Sequence, residues 1–153
     1  LDALKAAGLE GEDGVGVVVP HRAQKAALRD RHPWLAEAGA VDTVERFQGD
    51  ERDVILVTAT ASDPEYVAGE AEFLLNPNRL NVALSRPRKK LIVVASRSVF
   101  RHLPRDPDLF ESAGLWKRLR YQYAAEPLWQ GHREGVQVRV TGKRAENAGD
   151  NKA

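Results

Sequence analysis

The sequence has no cysteine, and its four histidines are scattered along the chain. The absence of cysteine excludes a disulfide framework and a thiolate metal site, and histidines without close spacing do not favour a zinc site. No apolar run approaches the roughly 18 to 20 residues that cross a bilayer, and no charged start followed by an apolar stretch indicates a signal peptide. We therefore expect a cytoplasmic protein in which this chain alone binds no metal.

The sequence also has little net charge. Its 23 basic and 22 acidic residues give a formal net charge of +1, so only local clusters of charge can indicate a partner. Methionine is absent, and Leu1 to Ala7 has helical spacing of apolar residues without a helix start residue. We interpret the chain as a fragment of a longer protein. Its 153 residues, 42% of them hydrophobic, have the size and balance of one globular domain.

Short apolar runs rich in β-branched residues predict strands. Residues 15–19, 53–60 and 91–95 read as strands buried on both faces, and residues 41–44 as a shorter one. Such runs are typical of a central parallel sheet, and helical patterns lie between them. The predicted fold class is α/β, with layers of helices on a mainly parallel central sheet.

Two helices are predicted between these strands. Residues 22–31 have apolar side chains at helical spacing, and residues 79–85 form a helix that Asn78 is expected to cap. Residues 61–77, with prolines and acidic residues, are predicted to be a long connection. The segment 78–90 then places arginines at the end of a short helix and before a strand, which would hold positive charge rigidly over a polyanion, most simply a phosphate.

The chain beyond residue 95 is less regular. Residues 96–103 and 107–123 are predicted helices, residues 135–140 alternate as in an edge strand, and residues 143–153 are polar and predicted to be disordered. Four large side chains are assigned to packing rather than to a site: His32, Trp34, Trp116 and Trp129.

Three segments together resemble motifs IV, V and VI of superfamily 1 helicases: residues 17–24, 41–55 and 79–88. The most similar group is the Upf1-like one, which includes the Dna2 and Nam7 relatives. The resemblance covers about residues 15 to 100, in the right order and at compatible spacings. It implies a RecA-like three-layer domain of the P-loop NTPase type, namely the second motor domain of an ATP-driven helicase or translocase.

This resemblance also implies a divided active site. Members of the family hydrolyse ATP, with Mg²⁺, between two RecA-like domains, and this chain contains neither a Walker A phosphate loop nor a Walker B carboxylate pair. We expect an N-terminal RecA-like domain of the same protein to supply both, so the fragment alone should be inactive. The expected domains are residues 1–103 for the motor, residues 104–142 for an extension packed on it, and residues 143–153 for a disordered tail.

Four residues match positions that contact the nucleotide in this family. Arg86 matches the arginine that reaches the γ-phosphate across the cleft, where its alternative is a surface salt bridge. Glu51 matches the carboxylate that accepts hydrogen bonds from the ribose, and Gly49 the position where the backbone approaches the phosphates. Gln48 either contributes to the same site or supports its loop. The alternative for the whole loop is an ordinary polar turn.

Six residues match positions on the path of single-stranded DNA or RNA: Pro20, Arg22, Gln24, Asp42, Thr43 and Arg88. A threonine hydroxyl or its backbone N–H can hold a phosphate without reading sequence, although Asp42 and Thr43 could equally cap the following turn. Arg88 could contact phosphate or share a solvated face with Lys89. His21 replaces the more usual tyrosine of motif IV, which leaves a stacking role open. The alternative function is a RecA-like module that binds nucleic acid or partners without hydrolysing ATP.

Overall fold

A parallel sheet of four strands forms the centre of the computed structural model, which describes residues 1–44, 46–47 and 51–143 apart from the side chain of Arg79. The strands are β1 (Val15–Val19), β2 (Val41–Thr43), β3 (Arg52–Ala59) and β4 (Pro87–Ala95). Their order is β2-β1-β3-β4, and each neighbouring pair is parallel. The predicted α/β class with a mainly parallel sheet is confirmed.

Helices cover both faces of this sheet. They are α1 (Asp2–Ala6), α2 (Arg22–Arg31), α3 (Trp34–Glu37), α4 (Pro64–Gly69), α5 (Ala71–Leu74), α6 (Pro77–Leu84), α7 (Arg97–Arg101) and α8 (Pro107–Arg118). Because side chains alternate along a strand, Val15, Val17 and Val19 join a core with Trp34 and other side chains of the first three helices. Their neighbour Val18 points to the other face, where the core includes side chains from α4 to α8. No helix in the described ranges is long and apolar enough to span a bilayer.

Strand β1 and helix α2 begin and end where the sequence predicts, at Val15–Val19 and Arg22–Arg31. The prediction that residues 91–95 are buried on both faces is wrong. Val94 is 53% exposed, because β4 lies at an edge of the sheet and contributes only Ile92 to the core beneath the first three helices. A run of apolar residues indicates a strand, but its burial depends on which helices cover it.

The predicted connection of residues 61–77 contains the short helices α4 and α5. The predicted cap at Asn78 is also wrong. Helix α6 begins at Pro77, and Oδ1 of the preceding Asn76 accepts a hydrogen bond from the Asn78 N–H at 3.0 Å. Proline suits the first position of a helix because its missing N–H would have no partner within the helix.

The last part of the described chain is a helix followed by a hairpin. A π-helical turn, Leu119–Tyr123, continues α8, and an antiparallel pair follows, β5 (Glu126–Arg133) and β6 (Val136–Gly142). The sequence predicted β6 but missed β5, whose polar residues, Pro127 and Gly131 hide its strand pattern. Trp34 and Trp116 are buried as predicted. Trp129 is 48% exposed, and the other part of its indole packs against Gly131 of the same strand. The predicted tail beyond Lys143 lies outside the described residues.

Candidate functional site

The predicted site residues that the structure describes lie at two opposite edges of the parallel sheet. We call the edge where the strands end, with Pro20 after β1 and Thr43 closing β2, the carboxyl edge. The amino edge is where the strands begin, with Glu51 directly before β3 and Arg86 directly before β4. Most residues predicted to contact nucleic acid therefore belong to the carboxyl edge, and the described residues predicted to contact the nucleotide belong to the amino edge.

A hydrogen bond joins α2, the helix that follows β1, to the end of β3 at the carboxyl edge. The Thr58 hydroxyl donates to Oε1 of Gln24 at 2.8 Å, so the first turn of α2 is tied to β3. Sheet order reverses between these two strands, which is where open α/β sheets bind ligands. Sequence reasoning missed Thr58, because a threonine within an apolar β-branched run has no local signal. Arg22, the first residue of α2, is exposed at this edge.

Asp42 is the most constrained polar residue of the carboxyl edge. Its Oδ2 lies 2.6 Å from Nζ of Lys25 on α2, and its Oδ1 accepts the Thr43 N–H at 2.8 Å. Burial raises the pKa of Asp42, but the hydrogen bonds from Lys25 and the Thr43 N–H, with the positive charges of Lys25 and Arg46, bring that pKa below its ordinary value. Asp42 is therefore an ionised carboxylate at neutral pH.

His21 stacks on an aromatic ring of this chain. Its imidazole and the Phe73 ring are 5.3 Å apart between centroids and inclined by 9°. Phe73, from α5, also lines an apolar cavity with Pro20, Leu80 and Trp116. The half-buried Pro20 thus belongs to a packed part of the carboxyl edge, and His21 finds its stacking partner within the chain.

Arg86 is half-buried at the amino edge. Its carbonyl accepts a hydrogen bond from the Arg52 N–H at 3.2 Å, which fixes the backbone immediately before β4. The Nε of Arg86 is among the buried side-chain nitrogens that have no hydrogen-bond partner in the described part of the chain. A buried guanidinium nitrogen without a partner is unfavourable, so this side chain is suited to an anion supplied from outside the domain.

Arg88 connects three segments at the same edge. Its Nη2 donates to the Asp13 carboxylate and to the Glu51 carbonyl, the latter at 3.1 Å. The hydrogen bond to Asp13 raises the pKa of Arg88, which stays charged. This contact places Arg88 beside the exposed Glu51, at the opposite edge from the other five residues predicted to contact nucleic acid. Lys89 pairs with Asp53 at 2.8 Å.

The loop that runs from β2 at the carboxyl edge to β3 at the amino edge is anchored by Phe47. This side chain is only 1% exposed, and its ring lies over Gly16 in the middle of β1. A Cβ at Gly16 would lie 2.4 Å from Cζ of Phe47, so the glycine leaves the space that the ring fills. Sequence reasoning grouped Phe47 with its polar neighbours and missed this anchor. Gln48 and Gly49, predicted for this loop, lie outside the described residues.

Several known proteins and one protein family are similar to this chain. A family model described as an AAA domain, AAA_12, matches residues 1–98. The chain is 38% identical over 90 residues to "DNA polymerase alpha-associated DNA helicase A" of Saccharomyces cerevisiae, an alignment that covers 58% of this chain and 13% of that protein. It is 35% identical over 101 residues to "DNA replication ATP-dependent helicase/nuclease DNA2" of Mus musculus, covering 63% and 9% of the two proteins.

A third relative is "DNA-binding protein SMUBP-2" of Mesocricetus auratus, which is 32% identical over 107 residues. That alignment covers 67% of this chain and 10% of the relative, so the chain corresponds to between 9% and 13% of the length of these three proteins. The chain therefore belongs to the AAA domain family AAA_12, and it is a RecA-like helicase domain of the Upf1-like superfamily 1 type that its three motifs resemble.

Proposed function

We propose that this chain is the second motor domain of an ATP-dependent DNA or RNA helicase or translocase, and that Arg86 is its arginine finger. The observation that carries the proposal is the half-buried guanidinium at the amino edge, whose Nε has no hydrogen-bond partner among the described residues. Arg86 precedes an ordered strand and its carbonyl is hydrogen-bonded, so its backbone is fixed before any ligand arrives. A permanently charged, planar group held in this way suits the stabilisation of charge on a phosphoryl group.

The amino edge fits a nucleotide that is held mainly by another domain. ATP with Mg²⁺, bound mainly by an N-terminal RecA-like domain of the same protein, would supply the phosphoryl bond that is broken. Glu51 is exposed, and its backbone is held by Arg88, so its carboxylate can accept hydrogen bonds from a ribose. Gly49 and Gln48 are proposed for the same site on the motif resemblance alone.

The carboxyl edge fits a nucleic-acid strand. Arg22 is exposed at the start of α2, and Gln24 is held by Thr58 through its carbonyl oxygen, which leaves its amide nitrogen as the donor toward a ligand. Thr43 and Pro20 complete this surface. Such groups contact phosphate and sugar rather than base edges, as a motor that grips every nucleotide alike requires.

We further propose the domain division of the chain. Residues 1–103 form the motor domain, and residues 104–142 form an extension packed on it. The burial of Trp116, from α8, in the core beneath α4 to α7 supports the packing of the extension.

The test of the finger is the ATPase activity of the full-length protein carrying Arg86→Ala. Removing an arginine finger typically lowers the rate by roughly 10³ to 10⁵, and we expect a loss in that range in kcat with single-stranded nucleic acid present. Arg105→Ala, which removes an exposed arginine from a loop after α7, is the matched control and should leave kcat unchanged. An Arg86→Ala protein that hydrolyses ATP near the wild-type rate would refute the assignment.

A further inference from the structure

The ion pair between Lys25 and Asp42 lies among the residues proposed to contact nucleic acid. Lys25 belongs to the first turns of α2 and Asp42 to β2, and their side chains are 14% and 22% exposed. Neither the helicase motifs nor the sequence pattern assigns a role to Lys25. The pair is therefore a charged, partly buried cluster at the carboxyl edge, and Lys25 has no function assigned to it by the motifs.

The Asp42 carboxylate accepts hydrogen bonds from two donors at once. One oxygen lies 2.6 Å from the Lys25 ammonium and the other accepts the Thr43 N–H at 2.8 Å. A cation and a backbone N–H that converge on one anionic group are the donors with which proteins hold a nucleic-acid phosphate. In the structure, an internal carboxylate occupies the position that such donors would offer to a phosphate.

Asp42 itself cannot be a direct phosphate contact while it is ionised. Like charges repel, and the carboxylate donates no hydrogen bond. Its effect on a nearby strand must come through the two donors that it occupies, the Lys25 ammonium and the Thr43 N–H.

We propose that Lys25 is a nucleic-acid-binding residue and that it pairs with Asp42 when no nucleic acid is bound. A phosphate of the strand backbone replaces the Asp42 carboxylate on Lys25 Nζ, and Asp42 thereby lowers affinity and keeps the grip of the motor weak. This inference rests on the proposed function, since it requires that the carboxyl edge faces a nucleic acid.

The test measures the binding of a fluorescent deoxythymidine oligonucleotide to the full-length protein over a range of salt concentrations. Loss of one phosphate contact to a single strand reduces the slope of log K against log[salt] by about 0.7. We expect this reduction for Lys25→Gln and no reduction for Lys25→Arg, which keeps the charge. An unchanged slope for Lys25→Gln would overturn the inference.

Lys89→Gln is the matched control. Lys89 also pairs with an aspartate, Asp53, at 2.8 Å, but this pair lies at the amino edge. The substitution removes the same charge as Lys25→Gln, but at the amino edge rather than on the proposed path of the strand. It should therefore leave the slope unchanged. An equal reduction for both lysines would show a general charge effect and would also overturn the assignment of Lys25.

Asp42→Asn tests the role of the carboxylate. Asparagine can still accept the Thr43 N–H, but it no longer neutralises Lys25. Because the cost of desolvating both charges offsets much of the attraction within a partly buried ion pair, we expect a modest gain in affinity, about two- to five-fold. Weaker or unchanged binding would mean that the pair only joins α2 to β2.

Different results refute the proposed function and the role of Lys25. A wild-type protein that binds neither single-stranded DNA nor single-stranded RNA at low salt would refute the proposed function. Wild-type binding with an unchanged slope in Lys25→Gln would refute only the role of Lys25. Thermal unfolding of each variant verifies that the binding data refer to folded protein.

Discussion

Gly16 offers the sharpest test of how the loop between the two edges is held. The substitution Gly16→Ala would place a Cβ 2.4 Å from Cζ of Phe47 and 2.8 Å from Cδ1 of Ile55. Both neighbours are almost completely buried, so neither side chain can move away into solvent. Overpacking of this kind typically costs about 1 to 3 kcal/mol in the free energy of unfolding.

For a chain of this length, about 1 kcal/mol corresponds to a shift of roughly 2 to 4 °C in Tm, so we expect Gly16→Ala to lower Tm by about 2 to 12 °C. Thermal and urea unfolding measure the change. Gly11→Ala is the control, because a Cβ there would meet nothing within 4 Å. It should leave the stability unchanged or slightly increase it.

Adding Phe47→Leu shortens the side chain that the new Cβ would meet. The second substitution therefore distinguishes a clash with Phe47 from a general intolerance of alanine at this position of β1. A double-mutant cycle should then show coupling between the two positions, with the cost of Gly16→Ala smaller when Phe47→Leu is already present. Equal stabilities of the Gly16→Ala and Gly11→Ala proteins would refute the reasoning. So would strict additivity of the two substitutions in the cycle.

Two further predictions concern polar groups. The folded-state pKa of Asp42 is lowered, so its ionised form stabilises the fold above the ordinary aspartate pKa of about 3.9, and this contribution is lost as pH falls through the folded value. The difference in unfolding free energy between wild type and Asp42→Asn should therefore shrink on acidification, and a difference independent of pH would contradict the assignment. Asn76→Ala should cost about 1 kcal/mol through loss of the α6 cap, whereas Asn78→Ala should cost much less, and urea denaturation distinguishes the two.

The local sequence pattern was sufficient to predict the bounds of elements whose ends are marked by turn residues or by a clear periodicity. Val15–Val19 is a β-branched run that follows a glycine turn and ends at Pro20, and Arg22–Arg31 has apolar residues at helical spacing, so both were predicted with their observed bounds. The α/β class followed from the alternation of such segments. These features depend on neighbouring residues, which the sequence displays directly.

The features that were missed depend on contacts between distant segments. The Thr58 to Gln24 hydrogen bond and the Lys25 to Asp42 pair both join elements that are far apart in the chain. The exposure of Val94 depends on which helices cover β4. Hence the sequence could predict which residues are candidates for the carboxyl edge, but not which donors are already satisfied there.

Arg88 lies at the amino edge, whereas its motif predicted a contact with nucleic acid, which we propose for the carboxyl edge. It remains a predicted nucleic-acid residue, yet it contacts Asp13 and the Glu51 carbonyl. Its contacts in the structure place it at the amino edge, where we propose that the nucleotide binds. The salt dependence of oligonucleotide binding in Arg88→Gln, measured beside Lys25→Gln, would decide between the two edges.

The most direct measurement for the central claim is the affinity of full-length Arg86→Ala for ADP with aluminium fluoride, compared with its affinity for ADP alone. An arginine that acts only on the transferring group stabilises the transition state and not the bound product. We predict that the substitution weakens binding of the transition-state analogue by several orders of magnitude and leaves the ADP affinity near the wild-type value. Wild-type affinity for the analogue, or an equal loss for both ligands, would contradict the proposal that Arg86 is the arginine finger.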